Sequence, residues 1–345
     1  MILVTGGAGF IGSNFIIDFF KNSNENILNY DKLTYAGNLQ NLNKIKKDPR
    51  YSFMKGDICD SLKLKNMLFE LKPKKVINFA AETHVDKSII NPEKFIKTNI
   101  FGTYTLIEEI RKYYNTLNNT LKKDFKFVHI STDEVFGSLN ISDHPFNEKS
   151  PYKPNSPYSA SKASSDHIIR SYFKTFNLPS IIINCSNNYG PYQFPEKLIP
   201  LCIMNALQGK EIPIYGNGNN IRDWIHVKDH CSAIKLILEK GIAGSSYNVG
   251  GNCEMTNLDI VKMICEMMDK IISIGKTSSF KDLIKFVKDR PGHDYRYSVD
   301  NSKITEELKW KPKVNFNEGL KKTIIWYINN EKWFRKTLEK KSRSK

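Results

Sequence analysis

The sequence predicts an α/β fold, a doubly wound parallel sheet with helices on both faces and a smaller α/β lobe beside it. Short apolar runs alternate with amphipathic stretches of helical length as far as about residue 185. The first apolar run leads directly into a glycine-rich turn. Beyond residue 185 proline, glycine and asparagine become frequent, and helical patterns alternate with loops. We therefore expect the second half of the chain to close over the carboxyl edge of the sheet.

The individual elements follow from these patterns in chain order. Strands are predicted at the apolar runs, which cover residues 1–5, 27–30, 51–55, 75–80, 125–131 and 180–185. Helices are predicted between them, near residues 13–21, 60–72, 92–115 and 158–176. The polar segment 113–124 is expected to form a surface insertion between a helix and a strand.

Two domains and a tail are expected. Residues 1–185 are expected to form the sheet domain, with a segment near 223–250 returning to it. Residues 186–335 are expected to form most of the smaller lobe. The basic residues within 336–345 predict a solvated, mobile tail.

The composition excludes several classes of protein. The chain has 345 residues, of which 40% are hydrophobic, and this supports a sizeable core rather than a disordered chain. No apolar run approaches the roughly 18 residues of a membrane span. Six cysteines without a CxxC pair indicate reduced thiols and a cytoplasmic location. The net charge of +16 comes from lysines spread over the whole chain, so neither a nucleic acid nor a membrane is expected as a partner.

A glycine-rich turn follows the first predicted strand. The segment Gly7-Ala-Gly-Phe-Ile-Gly12 matches the pattern G-x-G-x-x-G, and Gly6 gives a second reading of it. Asp31 follows about 20 residues later, as a dinucleotide-binding turn requires. Glycines let the backbone approach a pyrophosphate, whereas Asp31 can accept hydrogen bonds from a ribose and repels a 2′-phosphate. A Rossmann-type domain that binds NAD rather than NADP is therefore predicted, with Asp57 and Ile58 as candidate contacts to adenine.

A tyrosine and a lysine with helical spacing form the candidate catalytic pair. Tyr158 and Lys162 lie four residues apart, on one face of a predicted helix. Tyrosine is a poor base near neutral pH, but a nearby ammonium and the positive nicotinamide ring are expected to lower the pKa of the phenol. Tyr158 is then expected to take a proton from a substrate hydroxyl as hydride leaves the same carbon, with Thr132 as a hydroxyl donor.

Two neighbouring carboxyl groups distinguish this site. Asp133 and Glu134 follow Thr132 at the end of a predicted strand, where ligands bind in open parallel sheets. Oxidation or epimerisation needs neither of them, so they indicate further proton transfer, with one carboxyl protonated and the other ionised. The alternative is that one of them caps the turn and points away, because successive side chains of extended backbone face opposite sides.

These motifs resemble the extended short-chain dehydrogenase/reductase family, and within it the nucleotide-sugar epimerases and 4,6-dehydratases. The resemblance covers nearly the whole chain. It is carried by Tyr158, Lys162 and the segments 6–12, 31–38, 80–86, 131–137, 185–200, 222–224 and 289–293. The sequence departs from the usual pattern at Phe136, where tyrosine is more frequent, and at Thr83, where serine is more frequent. Both changes are nearly isosteric.

The resemblance implies a hydro-lyase that dehydrates dTDP-glucose to dTDP-4-keto-6-deoxyglucose through bound NAD, on the path to dTDP-rhamnose. Tyr158 would deprotonate the 4-hydroxyl, whose oxygen Thr132 would hydrogen-bond, as hydride passes from carbon 4 to NAD. Glu134 would then remove the proton at carbon 5 and Asp133 would protonate the departing 6-hydroxyl, after which hydride returns to carbon 6. The alternatives are a UDP-glucose 4,6-dehydratase, a nucleotide-sugar 4-epimerase and a cofactor-binding scaffold without turnover.

The resemblance also implies the other site residues, and a homodimer formed through the helices near 92–115 and 158–176. The residues expected to bind the cofactor are Gly6, Gly9, Phe10, Ile11, Gly12, Asp31, Lys32, Leu33, Thr34, Asp57, Ile58, Phe79, Ala80, Ala81, Thr83, Thr98, Tyr158, Lys162 and Asn188. The residues expected to bind the nucleotide sugar are Thr83, Thr132, Asn187, Lys197, Leu198, Pro213, Tyr215, Arg222, Asn257, Asp289, Arg290 and His293. Among these, Lys197 and Arg222 suit a diphosphate by their charge.

One further pattern has the residue types of a metal site. His226 and His230, with Asp229 and Cys231 beside them, are potential zinc ligands. The resemblance places this segment at the start of a helix without a metal role, so no metal is expected.

The methionine-rich segment 255–268 has helical spacing and is expected to pack in the core.

Overall fold

The computed structural model of the chain describes residues 1–272 and 278–343. The strands in chain order are β1 (Ile2–Thr5), β2 (Ile27–Asp31), β3 (Tyr51–Lys55), β4 (Lys75–Asn78), β5 (Lys126–Thr132), β6 (Ser180–Cys185), β7 (Asn187–Tyr189), β8 (Ile212–Tyr215), β9 (Ile221–His226), β10 (Ser246–Val249), β11 (Glu254–Thr256) and β12 (Ile284–Val287). The α-helices are α1 (Phe10–Phe19), α2 (Ser61–Leu71), α3 (Val85–Ile90), α4 (Glu93–Phe95), α5 (Thr103–Asn115), α6 (Asn119–Asp124), α7 (Pro157–Phe176), α8 (Leu198–Leu207), α9 (Val227–Lys240), α10 (Asn257–Ile271), α11 (Ser302–Leu308), α12 (Phe316–Asn329) and α13 (Glu331–Arg343).

Seven strands form one parallel sheet in the order β10-β6-β5-β4-β1-β2-β3. The chain runs outward from β1 to β3, then crosses to the other side of β1 at β4 and continues to β10. The predicted doubly wound α/β fold is confirmed. The crevice at the carboxyl ends of β1 and β4 is the point where the direction of winding reverses, and ligands bind at such points.

Apolar side chains bury both faces of this sheet. On one face α1 and α9 pack together and contribute Phe15 and Ile237 to the core. On the other face α2, α5 and α7 contribute residues such as Leu106 and Ile169. The two layers hold the strand ends in place, so that side chains at the carboxyl edge have a rigid support.

The later part of the chain returns to this sheet domain. β10 pairs with β6 at one edge of the sheet, and α9 precedes it on the face of α1. Both elements lie within the segment 223–250. The same core also includes three residues in and just after α11, namely Ile304, Leu308 and Trp310. The sheet domain therefore contains residues beyond the segment 223–250 as well.

The remaining elements form a second lobe. β7, β9 and β11 make a three-stranded sheet, and β8 pairs with β12. Helices α8, α10 and α12 enclose a separate core that includes Ile203, Ile264 and Leu320. Met268 is fully buried there, in agreement with the prediction that the methionine-rich segment 255–268 belongs to the core.

The helix predicted near 92–115 is divided in the structure. The short helix α4 leads into a π-helical segment at Ile96–Gly102 before α5 begins. Asn99 lies in this segment and exchanges two hydrogen bonds with the backbone of Glu82, at 2.8 and 2.9 Å. Gly102 packs so closely on Ile58 that a Cβ there would lie 2.9 Å from the isoleucine side chain. These contacts join the π-helical segment to residues distant in the sequence, so the apolar pattern could not reveal the division of the helix.

Two surface segments differ in detail from expectation. The polar insertion contains the short helix α6, none of whose residues is buried. The expected mobile tail from residue 336 is instead helical as far as Arg343, and Thr337 is buried and accepts a hydrogen bond from the side chain of Asn38 at 3.2 Å. Residues 344–345 lie outside the described residues. Within residues 1–272 and 278–343, no helix has the length and apolar character needed to cross a membrane.

Candidate active site

A cleft runs along the carboxyl ends of the large sheet, where the second lobe faces it. Its central cavity, of about 250 Å³, is lined by the glycine turn after β1, the end of β5, the first turns of α7 and part of the segment 185–197. A cavity of about 90 Å³ extends it toward the ends of β2 and β3, and is called the β3-side cavity. Another, of about 200 Å³, extends it into the second lobe and is called the second-lobe cavity. Neighbouring cavities share lining residues and therefore form one continuous cleft.

The glycine turn forms a cradle in which side chains would not fit. Gly6 has a φ of +72°, and a Cβ there would lie 2.5 Å from the backbone nitrogen of Ala80. A Cβ at Gly12 would lie 2.6 Å from the carbonyl oxygen of Gly6. α1 begins after Gly9 without a side-chain cap, which leaves the N–H groups of its first turn for a ligand. The cradle fits a pyrophosphate group.

Asp31, at the end of β2, joins this cradle to the next loop. Its Oδ2 accepts a hydrogen bond from the backbone N–H of Ala8 at 2.9 Å, and its Oδ1 accepts one from that of Leu33 at 2.7 Å. In the same cavity Asp57 forms an ion pair of 2.7 Å with Lys32. The negative charge of Asp31 suits a ribose diol and opposes a 2′-phosphate, so the residues present fit NAD.

Nearly all residues predicted to bind the cofactor line the two connected cavities. The β3-side cavity is lined by Gly6, Gly9, Asp31, Lys32, Thr34, Asp57, Ile58, Phe79, Ala80, Ala81 and Thr98. The central cavity adds Phe10, Ile11, Gly12, Thr83, Tyr158, Lys162 and Asn188. Leu33 lines neither of them but an adjacent cavity, so its contribution is the backbone N–H that fixes Asp31.

The helix α7 places the tyrosine and the lysine at the cleft. Ser156 caps the helix by accepting a hydrogen bond from the N–H of Ser159, and Pro157 occupies the first helical position. This capped N-terminus places Tyr158 in the first turn of α7 and Lys162 one turn later. Both side chains line the central cavity with Thr132.

The protein groups do not lower the pKa of the tyrosine. Burial, followed by the negative charge of Glu134, raises the pKa of Tyr158 well above its usual value, while a hydrogen bond with Thr132 opposes the rise. Burial also lowers the pKa of Lys162 to about 8. The net effect of the protein groups is therefore opposite to the lowering of the phenol pKa that the sequence predicts. Oxidised nicotinamide, when bound, would add a positive charge beside the phenol and oppose this rise.

Asp133 and Glu134 both face the central cavity. They lie in a 3₁₀ turn, Asp133–Phe136, rather than in extended backbone, so their side chains are not forced to opposite sides. The turn is capped by Thr132, whose Oγ1 accepts a hydrogen bond from the N–H of Glu134. The alternative in which one of the two acids caps the turn and points away is therefore wrong. The Oδ2 of Asp133 and the Oε2 of Glu134 are both buried and have no hydrogen-bond partner among the described residues.

The surroundings of the two carboxyl groups differ. Burial, and then the charge of Glu134, raises the pKa of Asp133 well above its usual value. Burial also raises the pKa of Glu134, but the cations Arg290, Lys197 and Arg222 oppose that rise. The arrangement therefore favours a protonated Asp133 beside a more acidic Glu134, as one acid and one base require.

The second-lobe cavity contains most of the residues predicted to bind the nucleotide sugar. They are Asn187, Lys197, Leu198, Pro213, Tyr215, Arg222, Asn257, Arg290 and His293. Thr83 and Thr132 line the central cavity instead. Asp289 lines neither cavity, and its carboxylate lies 2.7 Å from Nδ1 of His293.

The structure adds residues to the cleft that the sequence analysis missed. Gln193 and Glu196 line both the central and the second-lobe cavity. Their place inside the stretch 185–200 was the available signal. Tyr297 lines the second-lobe cavity and lies under the guanidinium of Arg222, 4.3 Å from its ring centre, but no sequence pattern singles it out.

The histidines of the possible metal pattern have structural contacts. The Nδ1 of His226 accepts a hydrogen bond from the N–H of Lys228 at the start of α9. His230 is fully buried, and its Nδ1 lies 3.0 Å from the side-chain oxygen of Asn188. In the part of the chain that the structure describes, no three His, Cys, Asp or Glu side chains are placed to hold a metal ion.

Comparison with known proteins agrees with this geometry. Residues 3–323 match the family described as GDP-mannose 4,6 dehydratase. A dTDP-glucose 4,6-dehydratase from Escherichia coli is 50% identical over 348 residues, which cover 98% of this chain and 96% of the relative. The crystal structure of a dTDP-glucose 4,6-dehydratase from Bacillus anthracis str. Ames, in complex with NAD, is similar with a TM-score of 0.85 and 46% identity, and covers 97% of this chain and 99% of its own.

A second solved structure extends the comparison. DesIV, a dTDP-glucose 4,6-dehydratase from Streptomyces venezuelae with NAD and TYD bound, has a TM-score of 0.89 and 41% identity, and covers 97% of this chain and 99% of its own. The predicted resemblance to nucleotide-sugar 4,6-dehydratases is thus confirmed over nearly the whole length. The chain belongs to the GDP-mannose 4,6 dehydratase family, and its relatives there are dTDP-glucose 4,6-dehydratases.

Proposed function

We propose that the chain is a hydro-lyase that converts dTDP-glucose to dTDP-4-keto-6-deoxyglucose and water. NAD is reduced and reoxidised within each turnover, so the reaction has no net oxidation. The observation that carries the proposal is the presence of two buried carboxyl groups, of Asp133 and Glu134, in the same cavity as Tyr158. Relatives of about 50% identity over nearly full length are named for the same reaction.

The first half of the reaction uses the tyrosine. Bound NAD supplies the acceptor and later the donor of hydride, together with a positive charge when oxidised. Tyr158 takes the proton of the 4-hydroxyl as carbon 4 is oxidised to a ketone, and Lys162 stabilises the phenolate. Thr132, which lines the central cavity with Tyr158, orients the oxygen on carbon 4. The side chain of Tyr158 is buried, which limits the access of water to this proton transfer.

The second half uses the two acids. The ketone at carbon 4 makes the proton at carbon 5 acidic, and Glu134 removes that proton. Asp133 gives a proton to the 6-hydroxyl, which leaves as water, and hydride then returns to carbon 6. The raised pKa of Asp133 keeps this acid protonated, whereas the three cations around Glu134 favour its ionised form.

The test is a single incubation with dTDP-glucose, followed by mass spectrometry of the product and by absorbance of NADH. Loss of one water from the nucleotide sugar without net accumulation of NADH is the expected result. An unchanged product mass with an altered configuration at carbon 4 would identify an epimerase instead. Bound NAD with no turnover would identify a scaffold.

The nucleotide base is tested separately. The curated relatives and the structure with TYD bound support a thymidine nucleotide. We therefore expect a higher kcat/KM with dTDP-glucose than with UDP-glucose, measured side by side with the same preparation. A preference for UDP-glucose would overturn the assignment of the base while leaving the dehydration chemistry in place.

We also propose that the protein acts as a homodimer through α5 and α7. Apolar side chains are exposed on this side of the molecule: Phe101 and Tyr104 are 51% and 45% exposed, and Phe176 at the end of α7 is 44% exposed. Exposed aromatic residues are typical of protein interfaces. Analytical ultracentrifugation of the full chain is expected to give twice the monomer mass, and Tyr104→Asp is expected to shift the equilibrium toward monomer.

A reducing, cytoplasm-like compartment is proposed from the cysteines. Five of them, Cys59, Cys185, Cys202, Cys231 and Cys253, are free thiols, and Cys202 is buried in the core of the second lobe. Cellular fractionation that places the enzyme outside the cytoplasm would contradict this proposal.

A further inference from the structure

A row of polar side chains crosses the interior of the large sheet behind Lys162. Thr5 of β1, Asn78 of β4 and His129 of β5 are register partners on neighbouring strands. Each is at most 1% exposed, although the flanking positions on these strands are mostly apolar. Burying polar groups destabilises a fold unless each is hydrogen-bonded, so this row has a structural or functional reason.

The row is hydrogen-bonded along its length and ends at the lysine. Oγ1 of Thr5 donates a hydrogen bond of 2.6 Å to Oδ1 of Asn78, and Nδ2 of Asn78 lies 3.1 Å from Nδ1 of His129. On the other side of the ring, Nε2 of His129 lies 3.0 Å from Nζ of Lys162. Nζ also donates a hydrogen bond of 2.8 Å to the carbonyl oxygen of Ile130.

We propose that His129 is a positioning residue for Lys162, which it holds by accepting a hydrogen bond from the ammonium at Nε2. An ammonium has only donors, so Nε2 carries no proton and the imidazole proton sits on Nδ1. This proton requires the amide of Asn78 to be turned by half a turn from the orientation described above, so that its oxygen accepts from Nδ1 and its NH₂ group donates to Oγ1 of Thr5. The ammonium of Lys162 thus fixes the tautomer of the histidine, and Asn78 adapts to it.

This arrangement leaves the lysine one N–H for the cleft. The carbonyl oxygen of Ile130 takes one of the three N–H groups of Nζ, and His129 takes a second. The third remains for the central cavity, which Lys162 and Tyr158 both line. The inference deepens the proposed function, because it rests on the role of Lys162 in stabilising the phenolate of Tyr158.

The titratable groups that face Lys162 come from three elements. They are His129 on β5, Asp166 and Tyr158 on α7, and Cys185 on β6. Asp166 lies one turn beyond Lys162, and its Oδ1 is 3.6 Å from Nε2 of His129, too far for a hydrogen bond. Burial lowers the pKa of Lys162, and the charge of Asp166 opposes this. Burial and the charge of the lysine lower the pKa of His129, so the ring stays neutral and remains an acceptor.

Two substitutions of His129 test the proposal. His129→Leu removes the acceptor, so the ammonium of Lys162 loses a favourable contact and deprotonates at lower pH. The alkaline limb of the pH profile for hydride transfer, followed as NADH absorbance in a single turnover with dTDP-glucose, is expected to shift by about one pH unit to lower pH. The rate on that limb then falls roughly tenfold. His129→Gln offers an amide oxygen near the place of Nε2 and is expected to restore most of the wild-type profile.

A matched control separates positioning from packing. Ile182 on β6 is the register partner of His129 on the other side, and Ile182→Val is expected to lower the melting temperature slightly without shifting the pH profile. A wild-type alkaline limb in folded His129→Leu would overturn the proposal. So would a shift of the same size in Ile182→Val.

A measurement on the unaltered holoenzyme covers the case in which His129→Leu does not fold. The ¹⁵N chemical shifts of the ring nitrogens of His129 are expected to report protonated Nδ1 and unprotonated Nε2. A proton on Nε2 would overturn the proposal. If the wild-type chain failed to dehydrate dTDP-glucose, the proposed function would be refuted while this tautomer measurement still stood on its own.

Discussion

Lys197, just before α8 in the second lobe, donates a hydrogen bond of 2.6 Å to the carbonyl oxygen of Thr83 in the sheet domain. Thr83 lines the central cavity, and Lys197 lines both that cavity and the second-lobe cavity. The charge of the same ammonium opposes the rise in the pKa of Glu134. One side chain therefore connects the two lobes across the cleft and favours ionisation of the carboxyl group proposed to act at carbon 5.

Lys197→Met is expected to weaken both effects. Without the ammonium the pKa of Glu134 rises, so a higher pH is needed to ionise it. The acidic limb of the pH profile for dehydration should move to higher pH, and KM for dTDP-glucose should rise because a cation predicted to bind the diphosphate is lost. Lys228→Met, at an exposed lysine, serves as the control of equal charge change. An unmoved acidic limb in Lys197→Met would show that this lysine does not act on the base.

Tyr158→Phe is expected to abolish the first proton transfer without disturbing the fold. The ring remains packed against Phe95, whose centre lies 6.4 Å away, so only the hydroxyl is removed. Loss of a general base typically costs about 10²- to 10⁴-fold in rate. Stopped-flow absorbance of bound NADH measures the step directly. A variant that still forms NADH at more than about a tenth of the wild-type rate would assign the base to another group.

Asp133→Asn is expected to impair elimination more than oxidation. The amide cannot donate the proton that the departing 6-hydroxyl needs, whereas Tyr158 and Thr132 are unchanged. NADH should therefore form in the first turnover and then persist, and a 4-keto sugar that retains its 6-hydroxyl should be trapped by acid quench and identified by mass. If dehydration proceeds at the wild-type rate, the assignment of Asp133 as the acid is wrong.

The same substitution is expected to stabilise the chain. Asp133 is 1% exposed, and burial raises its pKa in the folded state above the value of about 4 found in an unfolded chain. The folded state therefore binds more protons, and the free energy of unfolding falls as pH rises from about 4 toward the folded-state pKa. The loss amounts to about 1.4 kcal/mol for each unit by which the pKa is raised.

Asparagine at position 133 has no carboxyl group to titrate, so the free energy of unfolding of the variant does not fall with pH for this reason. The difference in melting temperature between Asp133→Asn and the wild type should grow in favour of the variant as pH increases from about 4 to neutrality. Glu134→Gln serves as a comparison. Because cations near Glu134 oppose the rise in its pKa, the gain in melting temperature over the wild type should be smaller than for Asp133→Asn. A pH-independent difference would show that the carboxyl of residue 133 is not buried as an acid.

Much of the fold could be predicted because its signals are local. Apolar runs such as 27–30 and 51–55 coincide with β2 and β3, and the glycine turn lies where the pattern places it. The division of the helix near 92–115 could not be predicted, since it depends on contacts of Asn99 with Glu82, which are formed only in the folded chain.

The site also contains some residues that local sequence patterns predict and others that only the folded chain brings together. Tyr158 and Lys162 were predictable from a spacing of four on one helix, and Asp166 continues that spacing by one more turn. The histidine at 129 is a single polar residue within an apolar strand, and its partner Asn78 is 51 residues away in sequence. Only the register of β4 and β5 brings these two side chains together.

Gly12→Ala decides between two opposing local effects in the glycine turn. Gly12 lies inside α1, where helix propensity alone favours alanine over glycine by about 1 kcal/mol. The added Cβ would lie 2.6 Å from the carbonyl oxygen of Gly6 and 2.8 Å from Cα of Gly7. Both are backbone atoms that cannot rotate away, and overpacking of this kind costs about 1 to 3 kcal/mol.

We expect the steric effect to dominate because the shift it requires also distorts the pyrophosphate cradle. Gly12→Ala should lower the melting temperature and weaken NAD binding, measured by isothermal titration, by at least about tenfold. Gly9→Ala is the matched comparison, since its Cβ would meet only the carbonyl oxygen of Gly6, at 3.2 Å, and its effects should be smaller. A Gly12→Ala variant that is more stable than the wild type and binds NAD with unchanged affinity would show that helix propensity outweighs close packing in this turn.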